Sequence, residues 1–399
     1  MFSTVSALGA EHHGDINELI LTREHGDTDE LTVEVSVGTT DQVVTVIPEQ
    51  SHTKRLVISG HLLPPGESTL TVTTKPRDGQ AHTIDLALNV PPTSSPLHDE
   101  VRRSLKNSSH SLLSSTFLDS SEFAYNDDSL TPWFDRPDAS TVIASRLANG
   151  GIDRERATQL SSFVSDGFVI LEDAVPDRLL RELRGAIDNI VDTSYGGYTW
   201  GSSDRIHHAH FHYPSVAELT QLPAVTNLLR DIFGAEPRVC QTLTYIFGSQ
   251  QGSHQDTVHL TPFPAGYMCG VWVALEDVRP GSGELRYYPG SHRLDRVYMN
   301  SVGCEKVTDG NWAQFGSTVV PRWESMLIEG GYEIESFLPK AGTVLIWHEN
   351  LMHQGAPRTD MNLSRKSIVT HYFASGPIAY YDSSGDPARF HFGAMGPNH

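Results

Sequence analysis

A histidine and an aspartate two residues apart set the tightest demand on how this chain can fold. They are His254 and Asp256, in the stretch GSHQDTVHL. In an extended segment, residues i and i+2 point to the same face. Both side chains can therefore reach one ion, while Gln255 points away. A third ligand, His353, arrives 97 residues after Asp256, in GTVLIWHENLMHQGAP. A chain that uses all three must devote most of its C-terminal portion to a scaffold that joins them. Two histidines and a carboxylate on one side of a metal leave the other side open. That suits non-haem Fe(II), which needs free positions for a cosubstrate and O2.

The chain has 20 histidines, so a bare His-x-Asp is weak evidence. Context adds weight: the motif follows a strand-like run, and a second histidine closes another. His348 competes for the third place, because it follows GTVLIW directly; it reads equally as a core residue. What favours His353 is Arg365-Lys366-Ser367, opening the strand KSIVTHYF. An arginine there can hold a carboxylate through two parallel hydrogen bonds, and Ser367 faces the same way. These groups would anchor the distal carboxylate of 2-oxoglutarate while its keto-acid end chelates iron.

The element pattern supports a large scaffold. From about residue 152 helices come first: IDRERATQLSSFVSDG, the amphipathic PDRLLRELRGAIDNIVDT, and PSVAELTQLPAVTNLLRDIFG. After Pro237 the chain turns to strands: RVCQTLTYIFGS, YMCGVWVAL, ELRYYPG, EIESFLPK, GTVLIW and KSIVTHYFA. This order predicts an antiparallel sheet or barrel braced by helices. Residues 15–92 instead read as short alternating strands between turn clusters, the pattern of a small β-sandwich. PPTSSP at 91–96 marks a linker. We thus expect a sandwich-like accessory domain over 1–95, an irregular connector over 96–150 and the site-bearing domain over 151–399.

A length of 399 residues suits two domains better than one. The formal net charge of -20 argues against nucleic acid and anionic membrane as partners. Cys240, Cys269 and Cys304 show neither disulfide nor thiolate-metal spacing. The N-terminal stretch lacks a basic start and an apolar core. The expectation is a soluble, cytoplasmic protein with a small-molecule substrate, whose N-terminal domain is a candidate for self-association.

The stretches SDGFVILEDAVP, GSHQDT, VWVALEDVRPGSGELRYYPGSHR, PKAGTVLIWHENLMHQGAP and NLSRKSIVTHYF together resemble the phytanoyl-CoA dioxygenase family of Fe(II)/2-oxoglutarate oxygenases. They span roughly 152–375, in the family's order; nothing in 1–150 resembles it. The resemblance implies a double-stranded β-helix (a jelly-roll, cupin-like core). It implies metal ligation by His254, Asp256 and His353, 2-oxoglutarate binding by Arg365 with Ser367 in support, and Trp272 near the cosubstrate. Its cofactors would be Fe(II), 2-oxoglutarate and O2, and its reaction hydroxylation or a related oxidation. Ser282 stands where the family has asparagine, a change that concerns turn geometry. Asp256 is retained where halogenating relatives have a small residue.

Other stretches stay open. His208, His210 and His212 would share a face if 205–212 were a strand, which allows a second metal site, a polar pocket mouth or plain surface. Gln241 and Tyr245 share a strand face and are candidates for the pocket wall. His292 reads as structural. The excursion 293–335 reads as a lid or an ordered insert. Two other functions remain: a ligand-binding protein that has lost catalysis, and a jelly-roll metal enzyme that does not use 2-oxoglutarate.

Overall fold

The computed structural model describes residues 2–8, 16–23, 31–37, 41–47, 53–59, 66–76, 80–90, 95–107, 113–114, 118–388 and 390. Contacts divide the chain into two compact units, one of 1–130 with 375–389 and one of 131–374 with 390–399.

In the first unit the expected alternating runs form strands, including Ile16–Arg23, Leu31–Val37, Thr53–Ser59 and His82–Val90. A further strand, Phe2–Leu8, precedes them. They assemble into two four-stranded antiparallel sheets. Threonines at facing positions join hydroxyls across strands, as in Thr73 with Thr83 at 3.0 Å. The turn stretches expected at 24–30 and 60–65 lie outside the described residues.

The second unit carries the elements read from the sequence after residue 152. The helix Arg154–Asp166 is capped by Asp153, whose carboxylate accepts from the Arg156 amide at 2.7 Å. It stops at Gly167, where φ of +84° favours a residue without a Cβ. The helix Asp177–Thr193 buries Leu179, Leu180, Leu183, Ile187 and Ile190, the face its apolar spacing marks out. Two further helices, Pro214–Leu219 and Pro223–Phe233, each begin on a proline. The stretch 97–150 is less irregular than its polar composition suggests, since Pro96–Asn107 and Ala139–Ala148 are helical.

A six-stranded antiparallel sheet forms the floor of this unit. Its order is Ile206–His207, Pro237–Tyr245, Ser367–Ala374, Met268–Ala274, Val344–His348 and Phe168–Leu171. A second sheet has Leu285–Tyr287 between Glu335–Phe337 and His353–Gly355. Leu243, Tyr245, Trp272, Leu345, Trp347 and Val369 of the first sheet share one buried cluster with Leu285, Tyr287 and Phe337 of the second. Two antiparallel layers enclosing one core are what the β-then-helix pattern anticipates.

The excursion 293–335 is an ordered insert. It contains the helix Ala313–Gly330, which packs Phe315, Val319, Trp323, Met326 and Leu327 with Val258 and Met352. Cys240, Cys269 and Cys304 are buried free thiols. Among the described residues no helix is long and apolar enough to cross a membrane.

Candidate metal centre

The site begins with a short antiparallel bridge. The amide of His254 donates to the carbonyl of His353 at 3.0 Å, and the reverse bond is 3.1 Å. Residues paired in this way carry their side chains on the same face. The two imidazoles lie 4.2 Å apart between ring centroids. Asp256 projects beside them, its amide held by the Glu349 carbonyl at 3.0 Å. One ligand atom from each of His254, Asp256 and His353 falls within 4.8 Å of the others, and all three residues are buried. Among the described residues no other group of histidines, cysteines and carboxylates has this geometry.

Hydrogen bonds fix which atoms face the centre. His254 Nδ1 lies 2.8 Å from the Gly252 carbonyl, and His353 Nδ1 lies 3.0 Å from the Leu351 carbonyl. A carbonyl only accepts, so each Nδ1 carries the proton and each Nε2 presents a lone pair. Those Nε2 atoms are 3.8 and 3.9 Å from Asp256 Oδ1. Burial and the neighbouring His353 hold His254 well below the usual imidazole range, which keeps it neutral. Burial pushes the Asp256 carboxyl up, but His353, His371 and His254 outweigh it and hold it far below the usual carboxylate range. The set is two neutral imidazoles and one carboxylate, all in ligating form.

Gln255 points the other way, as the alternation requires. Its carbonyl oxygen accepts from Trp323 Nε1 at 3.0 Å and from the Val297 amide at 3.2 Å. Its amide nitrogen donates to the Asp295 carbonyl at 3.0 Å. The middle residue of the motif therefore ties the insert to the back of the site. Beyond Trp323, the rings of His259, Phe315 and Trp312 pack edge to edge, with centroids 5.3–5.7 Å apart. Burial pulls His259 down to about 4, so its ring is neutral at pH 7.

A second polar group lies on the six-stranded sheet. Tyr245 pairs with Ser367 and Ser367 with Ala274, while Trp272 lies one inward position further on. The Arg365 guanidinium is 5.4 Å from the Tyr245 ring and 5.6 Å from the Trp272 ring. Burial pushes Arg365 down to about 10, which leaves it charged at pH 7. Its Nε, Ser367 Oγ, Trp272 Nε1 and Thr244 Oγ1 are buried without a hydrogen-bond partner. Four such orphans in one place are costly unless a ligand satisfies them.

His348 does not belong to the site. It is the next residue after the inward-facing Trp347, so it faces outward. There Nε2 is 3.4 Å from Asp135 Oδ1 and Nδ1 accepts from the Asn350 amide. His208, His210 and His212 do not share a strand face. The strand ends at His207, His208 takes a φ of +56°, and Ala209–Phe211 is a 3-10 turn. His210 Nδ1 is bound to Thr242 Oγ1 at 2.8 Å. Ser282 sits in a buried turn between Gly281 and Gly283, both at positive φ. Gln241 and Tyr245 both face inward, and Gln241 Nε2 lies 3.1 Å from His371 Nδ1.

Two residues beside the centre are not evident from motif reading. Trp347 Nε1 donates to Asp256 Oδ2 at 2.9 Å, and His371 Nε2 lies 3.7 Å from the same oxygen. The only signal for them is strand alternation, which turns both inward.

Comparison with known proteins places this geometry in context. Residues 163–367, just over half of the chain, match the family model described as phytanoyl-CoA dioxygenase. A phytanoyl-CoA dioxygenase domain-containing protein 1 from Danio rerio is 32% identical over 184 residues, covering 44% of this chain and 58% of its own. The mouse protein of that name is 37% identical over 188 residues, covering 44% and 60%. This chain thus spans less than two thirds of those relatives' length. An ectoine dioxygenase from Nocardia farcinica is 25% identical over 254 residues, covering 57% of this chain and 85% of its own. Among solved structures, the carbocyclase SnoK from nogalamycin biosynthesis matches with a TM-score of 0.47 and 16% identity, over 61% of this chain and 95% of its own. At that TM-score the likeness bears on neither reaction nor substrate.

Proposed function

The chain belongs to the phytanoyl-CoA dioxygenase family, and from that premise we propose that it is an Fe(II)- and 2-oxoglutarate-dependent dioxygenase acting on a small organic metabolite. The observation that carries this reading is the convergence of His254, Asp256 and His353 next to a buried, charged and partnerless Arg365. The donor set fits Fe(II): two bare imidazole nitrogens and one carboxylate oxygen on one side, with the remaining positions open. The orphaned donors Arg365 Nε, Ser367 Oγ and Trp272 Nε1 fit a carboxylate.

Iron with 2-oxoglutarate and O2 supplies the oxidation of a substrate C–H bond, releasing succinate and CO2. The chain's own part is to bind, orient and exclude water. His254, Asp256 and His353 would hold the ion. Arg365 and Ser367 would take the distal carboxylate of the cosubstrate, with Trp272 and Tyr245 packed against the guanidinium. The buried apolar residues Leu243, Leu345 and Val369 keep this end dry, which strengthens the ion pair. On the other side of His254, the neutral rings of His259, Phe315 and Trp312 offer the substrate an apolar, aromatic wall.

The similarity to an ectoine dioxygenase supports a small metabolite as substrate. The motifs carry no added basic cluster of the sort that would bind a CoA phosphate, which favours a role in specialised metabolism. Hydroxylation is the expected outcome; desaturation, cyclisation and epimerisation differ only in which substrate bond meets the oxidant. Anaerobic addition of Fe(II) and 2-oxoglutarate should give a visible charge-transfer band, and Asp256→Ala should abolish both the band and succinate formation. A folded protein with no band would favour a binding protein without catalysis. Turnover that persists without 2-oxoglutarate would favour the other metal enzyme.

A further inference from the structure

We propose that Trp347 and His371 are positioning residues that hold Asp256 as a single-oxygen metal ligand, and that residue 270 is glycine to admit them. The proposal rests on the metal reading above and deepens it.

The two oxygens of Asp256 have different neighbours. Oδ1 faces the bare Nε2 atoms of His254 and His353, at 3.8 and 3.9 Å. Oδ2 faces proton donors instead. Trp347 Nε1 is 2.9 Å away, and His371 Nε2 is 3.7 Å away, an electrostatic neighbour beyond hydrogen-bond length. The His371 tautomer follows from its other nitrogen. Gln241 Nε2 donates to His371 Nδ1 at 3.1 Å, so Nε2 carries the proton toward Asp256. One carboxylate oxygen is thus engaged by the protein, and the other is left to the ion.

The sheet is built for this arrangement. Four residues form one row across four adjacent strands: Gln241 opposite His371, His371 opposite Gly270, and Gly270 opposite Trp347. A row of four inward side chains would normally fill with apolar groups. Here the middle position has no side chain. A Cβ at Gly270 would collide with Cε2 and Cζ2 of the Trp347 indole. Backbone conformation does not demand this glycine, since its φ is not among the positive values. Space demands it, because the indole leans over position 270 toward Asp256. A tryptophan that served only to fill the core would have no need to aim Nε1 at the carboxylate.

Fixing Oδ2 has two chemical effects. It sets the rotamer of Asp256 before metal arrives, and it keeps the carboxylate from closing on the ion through both oxygens, which would occupy a position needed for a cosubstrate. Removal of such supporting bonds around metal ligands weakens binding by about 10- to 100-fold.

Co(II) titration of the apo protein tests this, followed by calorimetry and by the visible d–d spectrum, with thermal unfolding in parallel. Trp347→Phe keeps an aromatic ring but loses the donor. It should raise the Co(II) Kd by about 10- to 100-fold, alter the d–d spectrum, and shrink the rise in Tm that metal gives the wild type. His371→Leu should act in the same direction, and His371→Gln, which keeps an N–H, should recover most of the affinity. A folded Trp347→Phe protein with unchanged Co(II) affinity and spectrum overturns the proposal, even if its apo Tm is lower. If Trp347→Phe does not fold, equal Co(II) affinities for His371→Leu and wild type overturn it instead. Failure of the wild type to bind Co(II) would overturn the metal reading itself, which separates the two.

Discussion

Arg365 shows what one residue contributes and how it can be tested. It is buried, held at about 10 by desolvation, and meets no carboxylate within ion-pair distance among the described residues. A buried cation is retained against that cost when a ligand supplies the counter-charge. A charge-assisted hydrogen bond contributes roughly 1.5–3 kcal/mol. Arg365→Ala should therefore raise the apparent KM for 2-oxoglutarate by about 10- to 100-fold, with the Co(II) affinity of the apo protein little changed. Arg365→Lys should restore little, because an ammonium cannot reproduce the two-pronged contact. Steady-state kinetics with varied 2-oxoglutarate decides it, and an unaltered KM would remove Arg365 from the cosubstrate site. Arg365, His254 and Asp256 were legible because their roles depend on short spacing within extended segments. Trp347 and His371 were not. Their part depends on which strands are neighbours, and strand order across a sheet leaves no mark on local sequence.

At the scale of elements, the insert 293–335 depends on a residue inside the metal motif. Gln255 satisfies the Trp323 indole and the Val297 amide at once, and it is fully buried. Gln255→Leu fills similar space but strands both donors. Each stranded buried donor costs about 1–3 kcal/mol, so a loss of roughly 2–4 kcal/mol is expected in urea unfolding, with faster amide exchange over 297–330. Unchanged exchange there would mean that apolar packing around Trp323 alone holds the helix Ala313–Gly330. Alternation made it clear that Gln255 points away from the metal; its partners lie 40 and more residues later and could not be named. The helix in the insert was also missed, since VTDGNWAQFG reads as loop and the following run carries Pro321 within the helix. The 205–212 stretch erred in the opposite direction. Alternating histidines suggested a strand, but a left-handed residue at His208 turns the chain into a 3-10 turn.

For the whole molecule, acid stability follows from several buried groups that lose charge on folding. Burial, aided by His348 and Arg293 and opposed by Asp135, pulls His292 down to about 3. His254 and His259 are also lowered, mainly by burial. An unfolded histidine titrates near 6.5. Between pH 6.5 and each folded value the unfolded chain therefore binds more protons than the folded one. Stability then rises with pH, so the contribution of each group is complete above about 6.5 and is lost as pH falls toward its folded value. Asp135 acts with the same sign at lower pH. Burial raises its carboxyl, but His348 and Arg296 more than reverse this, and the resulting stability is lost below the ordinary aspartate range. Each histidine adds a slope of about 1.4 kcal/mol per pH unit within its window. In the metal-free protein, urea midpoints should fall steadily from pH 6.5 to 4, and His292→Gln should flatten that fall by about one proton's worth. The Gln substitution separates His292 from the metal-site histidines, because it leaves His254 and His259 in place. An identical pH slope in wild type and His292→Gln would show that His292 takes up its proton without unfolding the chain, through local opening around Gly167 and His348.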